Sequence, residues 1–93
     1  MWAIEEHRRV GRQLAAAPLD IRKRYEKWLD IAALSGPPGL RAIRGFNDES
    51  LSGELRGHRS SRLNVQYRVI YRVLAARQLF QVVELTAHDY RRR

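Results

Sequence analysis

Apolar and polar residues alternate along the second half of the chain. From 61 to 73 every second residue is apolar, namely Leu63, Val65, Tyr67, Val69, Tyr71 and Val73. A period of two is typical of a strand with one buried and one polar face. Because thirteen residues are long for one strand, we predict two strands joined by a turn near 64–66. Further strands are predicted at 53–57 and 79–86, with a turn at 75–78 between the hairpin and the last strand.

The first half has the helical period instead. Val10, Leu14 and Ala17 form one stripe of a first helix that Pro18 interrupts. A second helix is predicted over 19–34, with the apolar stripe Ile21, Tyr25, Trp28, Leu29 and Ala32, and the Ser-Gly-Pro-Pro-Gly run at 35–39 is expected to end it. Residues 2–6 alternate as a short strand, and 40–52 is read as a loop.

These elements predict an α+β fold for residues 1–93, taken as a single domain. Two N-terminal helices pack on one face of a twisted, mainly antiparallel sheet of about four strands, and a short first strand precedes the helices. The other face of the sheet is then exposed, and it carries arginines.

Composition narrows the classes of function. The net charge is +8, and only Lys23 and Lys27 among the 18 basic residues are lysines. Arginine grips phosphate with a planar fork, so the bias indicates a nucleic acid or an acidic protein partner. The absence of cysteine excludes disulfides, thiolate metal sites and a cysteine nucleophile, and fits a cytoplasmic location. The three histidines match no metal-ligand spacing, no apolar run could span a membrane, and residues 1–6 do not resemble a secretory signal.

One set of polar residues could carry chemistry. Alternation places Arg62 and Arg68 on the polar face, within reach of His88, Asp89 and Tyr90 if the hairpin and the last strand are neighbours. Cleavage of RNA without metal needs a base for the 2′-OH, positive charge on the phosphorane-like transition state and an acid for the leaving oxygen. Arginine can supply the charge, and histidine exchanges protons near pH 7. The simpler alternative is a solvated strand face with an exposed histidine at its end.

The second half also resembles the toxins of the RelE/ParE superfamily, and within it the HigB-like group. The resemblance lies in ESLSG at 49–53 and RGHRSSRLNVQYRVIY at 56–71, which fit a family run of L-x-G, then G-x-x-S-x-R-x-N, then aromatic-Arg-hydrophobic. The turn at 37–39, the strand before Asp89 and Tyr90, and the two-helix first half fit the same layout. The resemblance therefore covers nearly the whole chain.

The resemblance implies the toxin of a bacterial type II toxin–antitoxin pair. Such toxins of the HigB-like and RelE-like groups are endoribonucleases that enter the ribosomal A site and cut mRNA there, with no metal or cofactor. The expected partners are a cognate antitoxin, the ribosome and mRNA. The alternatives are a ParE-like inhibitor of DNA gyrase, a basic RNA- or ribosome-binding module without catalysis, and an inactive toxin that acts as a corepressor.

Site residues follow from the same resemblance, position by position. Arg62 and Arg68 match the paired arginines of the sheet, and Asp89 and Tyr90 match the C-terminal Asp-Tyr of HigB-like toxins. A histidine usually follows that tyrosine, whereas Arg91 stands there in this chain and His88 precedes the pair. We expect catalytic roles for Arg62, Arg68, His88 and Tyr90. We expect RNA contacts from Arg56, His58, Arg59, Asp89 and Arg91.

Overall fold

Two helices cover one face of a five-stranded sheet in the computed structural model, which describes residues 1–87. The elements are β1 (Ala3–Glu6), α1 (Arg8–Ala16), α2 (Leu19–Ala42), β2 (Glu49–Ser50), β3 (Arg59–Arg62), β4 (Arg68–Leu74) and β5 (Leu79–Thr86). The strand order is β1-β5-β4-β3-β2. Only β1 and β5 pair in parallel; the other neighbours are antiparallel. The predicted α+β fold is confirmed.

The sheet has one strand more than predicted because β2 contains only two residues, too few to show a period. It pairs with β3 at the edge of the sheet. The strand predicted at 53–57 is wrong, since Gly53–Leu55 forms a 3₁₀ turn that starts from a glycine with φ of 66°. The turn near 64–66 and the strand at 79–86 are confirmed.

The core lies between the helices and the sheet. Four residues of the stripe predicted for the second helix are buried there, Ile21, Tyr25, Trp28 and Ala32, while Leu29 is half-buried. Trp28 stands at the centre of the core. Its ring lies 5.2 Å from that of Tyr71 on β4 and 5.8 Å from that of Phe80 on β5, both in edge-to-face contact. Such pairs add to the free energy of burying the rings. This aromatic cluster fixes how the helices sit on the sheet.

Helix α2 continues beyond its predicted end. Gly36 has non-helical dihedrals, φ 68° and ψ −165°, and the chain kinks there, but it resumes a helical path to Ala42. Pro37 and Pro38 open the new segment, where proline suits the first helical turn because that turn's N–H groups have no intrahelical acceptor. The predicted stop at 35–39 is therefore a kink, and the start of the predicted loop at 40–52 is helical.

The sheet face that points away from the helices, here called the second face, is less open than the sequence predicts. Ser60, Arg68, Ile70 and Thr86 are all buried on it. These residues lie on the central strand β4 or on a strand that pairs with it. There, long side chains of neighbouring strands cover shorter ones. Arg72 remains exposed and Arg62 is half-buried. No helix within residues 1–87 is long and apolar enough to cross a membrane.

Candidate nucleic-acid interface

Arg62 and Arg68 are direct cross-strand partners on the second face. Arg62 of β3 stands opposite Arg68 of β4, and Thr86 of β5 stands opposite Arg68 on the other side. Two like charges in directly opposed positions destabilise a sheet. The Nε atom of Arg62 is buried and has no hydrogen-bond partner among residues 1–87. The register therefore brings two guanidinium groups to one row of the second face.

Two carboxylates flank this arginine row. Glu49 pairs with Ser60, and Glu84 pairs with Ile70. Because Ser60 also pairs with Ile70, both glutamates lie in the row next to the arginine row on the second face. Glu84 lies 3.9 Å from Arg9 Nη1. The sequence analysis singled out neither glutamate. Strand alternation would have placed Glu84, but Glu49 lies in a strand too short to be recognised. The second face thus carries two carboxylates in the row next to Arg62 and Arg68.

A third row lies further along the second face. Arg72 Nε donates to Gln81 Oε1 at 2.7 Å, and Gln81 Nε2 donates to Glu5 Oε1 at 3.1 Å. His58 precedes β3 and lies on the same side, where it lines a pocket with Arg72 and Gln81. Its Nδ1 atom is buried, and no residue within 1–87 bonds to it. His58, for which the sequence predicts an RNA contact, therefore forms part of the wall of this pocket.

Arg59 has a different environment from the one its predicted RNA contact requires. It stands opposite Tyr71, on the face that packs against the helices. Its Nε donates to Asp48 Oδ1 at 2.7 Å, and its Nη1 donates to Ser50 Oγ at 2.8 Å. Because these bonds hold the guanidinium on the opposite side of the sheet from Arg62, we assign Arg59 to the scaffold.

Asp48 is the centre of that scaffold. Its side chain has no exposed area, and it accepts hydrogen bonds from Arg59, from Ser61 Oγ at 2.7 Å and from the Tyr71 hydroxyl. Burial, then the hydrogen bond to Asp48, raises the pKa of Tyr71. For Arg59, burial acts to lower the pKa, but the hydrogen bond and charge of Asp48 outweigh it and raise the pKa. The cluster ties β3 and β4 together behind the Ser60–Ile70 row, which is next to the arginine row.

The remaining predicted residues divide into two groups. Arg56 is exposed in the turn that leads to His58. His88, Asp89, Tyr90 and Arg91 lie outside the described residues. No group of three or more potential metal ligands occurs within residues 1–87.

Solved structures of RelE, YoeB and YafQ share this fold. RelE in the archaeal RelE–RelB complex from Pyrococcus horikoshii OT3 has a TM-score of 0.76 and 24% identity, covering 96% of this chain and 97% of that one. YoeB in the YoeB–YefM complex from Staphylococcus aureus has a TM-score of 0.73 and 18% identity, covering 96% and 99%. YafQ from E. coli strain BL21(DE3) has a TM-score of 0.66 and 14% identity, covering 95% and 94%.

The chain therefore has the fold of the RelE-like toxins, over nearly its whole length. The fold that the sequence resemblance implied is confirmed. No protein-family model matches the chain, and no curated protein matches it.

Proposed function

We propose that this chain is the toxin of a type II toxin–antitoxin pair and an endoribonuclease that cuts mRNA on the ribosome in the cytoplasm. We take residues 1–93 as one toxin domain. The observation that carries the proposal is the pair of opposed arginines, Arg62 and Arg68, on a face that the RelE-like fold leaves clear of its helices. A fold alone does not define a function, but two adjacent guanidinium groups suit a phosphodiester.

The proposed reaction is transfer of the phosphoryl group to the neighbouring 2′ oxygen. The 2′-OH loses its proton to a base, its oxygen forms a bond to phosphorus, and the bond from phosphorus to the 5′ oxygen breaks. The leaving oxygen takes a proton from an acid. Arg62 and Arg68 bind the phosphate and stabilise the negative charge that develops on it. Because these two groups supply that charge, the reaction proceeds without a metal.

Proton transfer is assigned to the residues that the sequence resemblance implied. His88 is the leading acid or base, and Tyr90 shares the transfer or orients the nucleotide. Asp89 positions His88 or contacts a base, while Arg56 and Arg91 hold flanking phosphates. Glu49 and Glu84 add two carboxylates beside the arginine row. Arginine itself keeps its proton, which excludes it from the role of base.

An antitoxin is the second proposed partner. RelE and YoeB were solved in complexes with RelB and YefM. This chain has a net charge of +8 and basic residues on the exposed side of α2. An acidic or amphipathic segment that lies along the helices and the sheet would complement that charge.

The test is expression of the wild type and of Arg62→Ala and Arg68→Ala from a tightly controlled promoter, with mapping of message 5′ ends. Arg22→Ala is the matched control, since it removes one charge from the exposed surface of α2. We expect codon-phased cuts in translated messages from the wild type and the control, and their loss from both sheet variants. Toxicity without cuts, or with DNA damage signalling, would contradict the proposal and favour gyrase or another protein target. Cuts that persist in both sheet variants would remove the arginines from the mechanism.

A further inference from the structure

A pocket opens on the second face beside the edge formed by β1 and β5. Its volume is about 270 Å³, which is large enough for a purine base. Its lining includes Glu5, His58, Arg72, Gln81 and Val83. Pockets of this kind, with a few convergent polar groups, are the default places to look for a ligand. The function proposed above places a phosphate elsewhere, at Arg62 and Arg68, and leaves this pocket without a role.

The polar groups of the pocket form an ordered chain. Arg72 donates through Nε to Gln81, and Gln81 donates to one oxygen of Glu5. These bonds hold the arginine fork and the carboxylate in fixed positions on three neighbouring strands. Within residues 1–87, the terminal nitrogens of Arg72 and the second oxygen of Glu5 make no further hydrogen bond. The pocket therefore presents two donors and an acceptor side by side.

A phosphate does not suit this pocket. On the second face its charged side chains are one arginine and one carboxylate, Arg72 and Glu5, so it offers an anion no net positive charge. Glu6 also lines it, but the Glu6 carboxylate accepts a hydrogen bond from the Tyr25 hydroxyl on the helix side of the sheet. A neutral base with acceptors on one edge and donors on the next is the complementary ligand. Guanine has this pattern, because O6 and N7 accept hydrogen bonds and the adjacent N1–H and N2–H₂ groups donate them. Arginine binds O6 and N7 in a bidentate manner, which is the commonest specific contact to guanine.

The walls of the pocket suit a flat ring. His58 and Val83 offer an imidazole and an apolar side chain, and single-stranded RNA is read by stacking unpaired bases on such groups while their edges are hydrogen-bonded. The buried Nδ1 atom of His58 has no partner among residues 1–87, so that ring is not held by a structural hydrogen bond there.

We propose that this pocket binds a guanine base of the RNA substrate, with Arg72 donating to O6 and N7 and Glu5 accepting from N1–H and N2–H₂. The proposal rests on the endoribonuclease function. Arg68 and Arg72 lie four residues apart on β4, which is about 13 Å at the rise of a strand. The bound base therefore belongs to a nucleotide near the scissile phosphate, and the pocket selects which message sequences are cut. Gln81 is a positioning residue, because it touches both Arg72 and Glu5.

The test measures binding separately from cleavage. Fluorescence anisotropy would follow 2′-O-methyl oligouridylates, which cannot be cut, that carry one central guanine, 7-deazaguanine or adenine, all at one salt concentration. We expect the wild type to prefer guanine over adenine by about tenfold or more and to lose that preference with 7-deazaguanine, which lacks N7. Arg72→Lys keeps the charge but not the fork, so it should bind guanine and 7-deazaguanine alike. Glu5→Gln should lower the preference for guanine over adenine, and Arg22→Ala should leave it unchanged.

The outcomes separate this proposal from the proposed function. Equal affinity of the wild type for all three oligonucleotides, or for none of them, would overturn the guanine pocket. Retained discrimination in Arg72→Lys would also overturn it. If the wild type cuts messages but binds all three bases alike, only the proposal of a guanine pocket is overturned. If the wild type prefers guanine but cuts no message, the guanine pocket is supported and the proposed endoribonuclease function is overturned.

Discussion

Arg62 and Arg68 face each other across β3 and β4, in a register that brings two positive charges to neighbouring positions on one face. Cβ atoms of such partners lie about 5 Å apart. Arg68 is 5% exposed, so its charge is poorly screened by water. The fold keeps this repulsive pair because Asp48, on the opposite side of the same two strands, ties Ser61 and Tyr71 together. The paired charges therefore lower the stability of the β3–β4 hairpin, but they attract an anion to it.

Replacing one member of the arginine pair should stabilise the free protein at low salt. Arg62→Gln removes the repulsion while keeping a long polar side chain, and we expect the free energy of unfolding to rise by about 0.2–1 kcal/mol. The gain should shrink as salt screens the pair. Urea unfolding at low and high sodium chloride measures both. A loss of stability at low salt would show that Arg62 makes favourable contacts that outweigh the repulsion.

The same pair should make the melting temperature sensitive to phosphate. An anion that binds only the folded state stabilises it by mass action, and about 1 kcal/mol corresponds to roughly 4–8 °C for a domain of this size. We expect phosphate to raise the melting temperature of the wild type above its value in chloride at matched ionic strength. Phosphate also stabilises proteins by exclusion from their surface, so the measured quantity is the difference between wild type and Arg62→Gln. An equal rise in both proteins would rule out an anion site at this row.

Asp48 should be the most sensitive polar residue of the hairpin. Asp48→Ala leaves the Arg59 guanidinium and the buried hydroxyls of Ser61 and Tyr71 without their acceptor. Removing one member of a buried ion pair costs about 3–5 kcal/mol, and we expect a loss of this order in chemical denaturation. Asp48→Asn should cost less, because its amide oxygen still accepts. Equal stability of wild type and Asp48→Ala would contradict the role of the cluster.

Arg59 tests whether scaffold and interface are separate. Arg59→Gln should also lower stability, because it leaves the fully buried Asp48 carboxylate without its counter-charge, although Ser61 and Tyr71 still donate to it. RNA affinity per folded molecule should stay within about twofold of the wild type, because the guanidinium lies on the helix side of the sheet. Filter binding at one salt concentration measures it, with Arg62→Gln as the variant that should weaken. A comparable loss of RNA affinity in Arg59→Gln and Arg62→Gln would show that Arg59 belongs to the RNA interface.

Two buried tyrosines predict a decline in stability in alkali. Burial raises the pKa of Tyr71 and of Tyr25, and the hydrogen bonds to Asp48 and Glu6 raise them further. A raised pKa in the folded state means that the folded state holds the proton more tightly. This stabilisation is complete below the unfolded value of about 10 and is lost as the pH rises above it. The slope is limited to about 1.4 kcal/mol per pH unit for each tyrosine.

Urea midpoints between pH 8 and pH 11 measure this decline. Tyr71→Phe and Tyr25→Phe cannot ionise at these positions, so each variant should be less stable at pH 8 but show a flatter dependence above pH 10. Unchanged slopes in both variants would assign the alkaline decline to other groups.

The β half of the fold was predicted well, because alternation and turn residues are signals that neighbouring positions in the sequence carry. Alternation and turn residues placed the turn near 64–66 and the strand at 79–86 within the observed elements. The alternation was traced only from residue 61, so Arg59 was not assigned to β3 or to the helix side of the sheet. Asp48 gave no local signal, since its donors lie 11 to 23 residues away. The row of Arg72, Gln81 and Glu5 likewise depends on a strand pairing that joins residues 76 positions apart.

Gly36 was misread because Gly-Pro-Pro is a stop signal in isolation, whereas here tertiary packing restarts the helix. A Cβ at this position would lie 2.5 Å from Trp2 Nε1, and φ is +68°, where other residues are strained. The Trp2 backbone N–H also donates to Ala33 O at 2.9 Å. The kink is therefore the place where β1 is attached to α2.

Gly36→Ala should consequently destabilise the protein by about 1–3 kcal/mol, through backbone strain and displacement of the indole. The matched control is Gly11→Ala within α1, where a Cβ meets nothing within 4 Å. That control should stabilise by about 0.5–1 kcal/mol, because alanine loses less entropy than glycine in a helix. Thermal and urea unfolding of the two variants would show opposite signs. If Gly36→Ala matched Gly11→Ala, the left-handed kink would not be required, and the attachment of β1 would have to come from the sheet pairing with β5 alone.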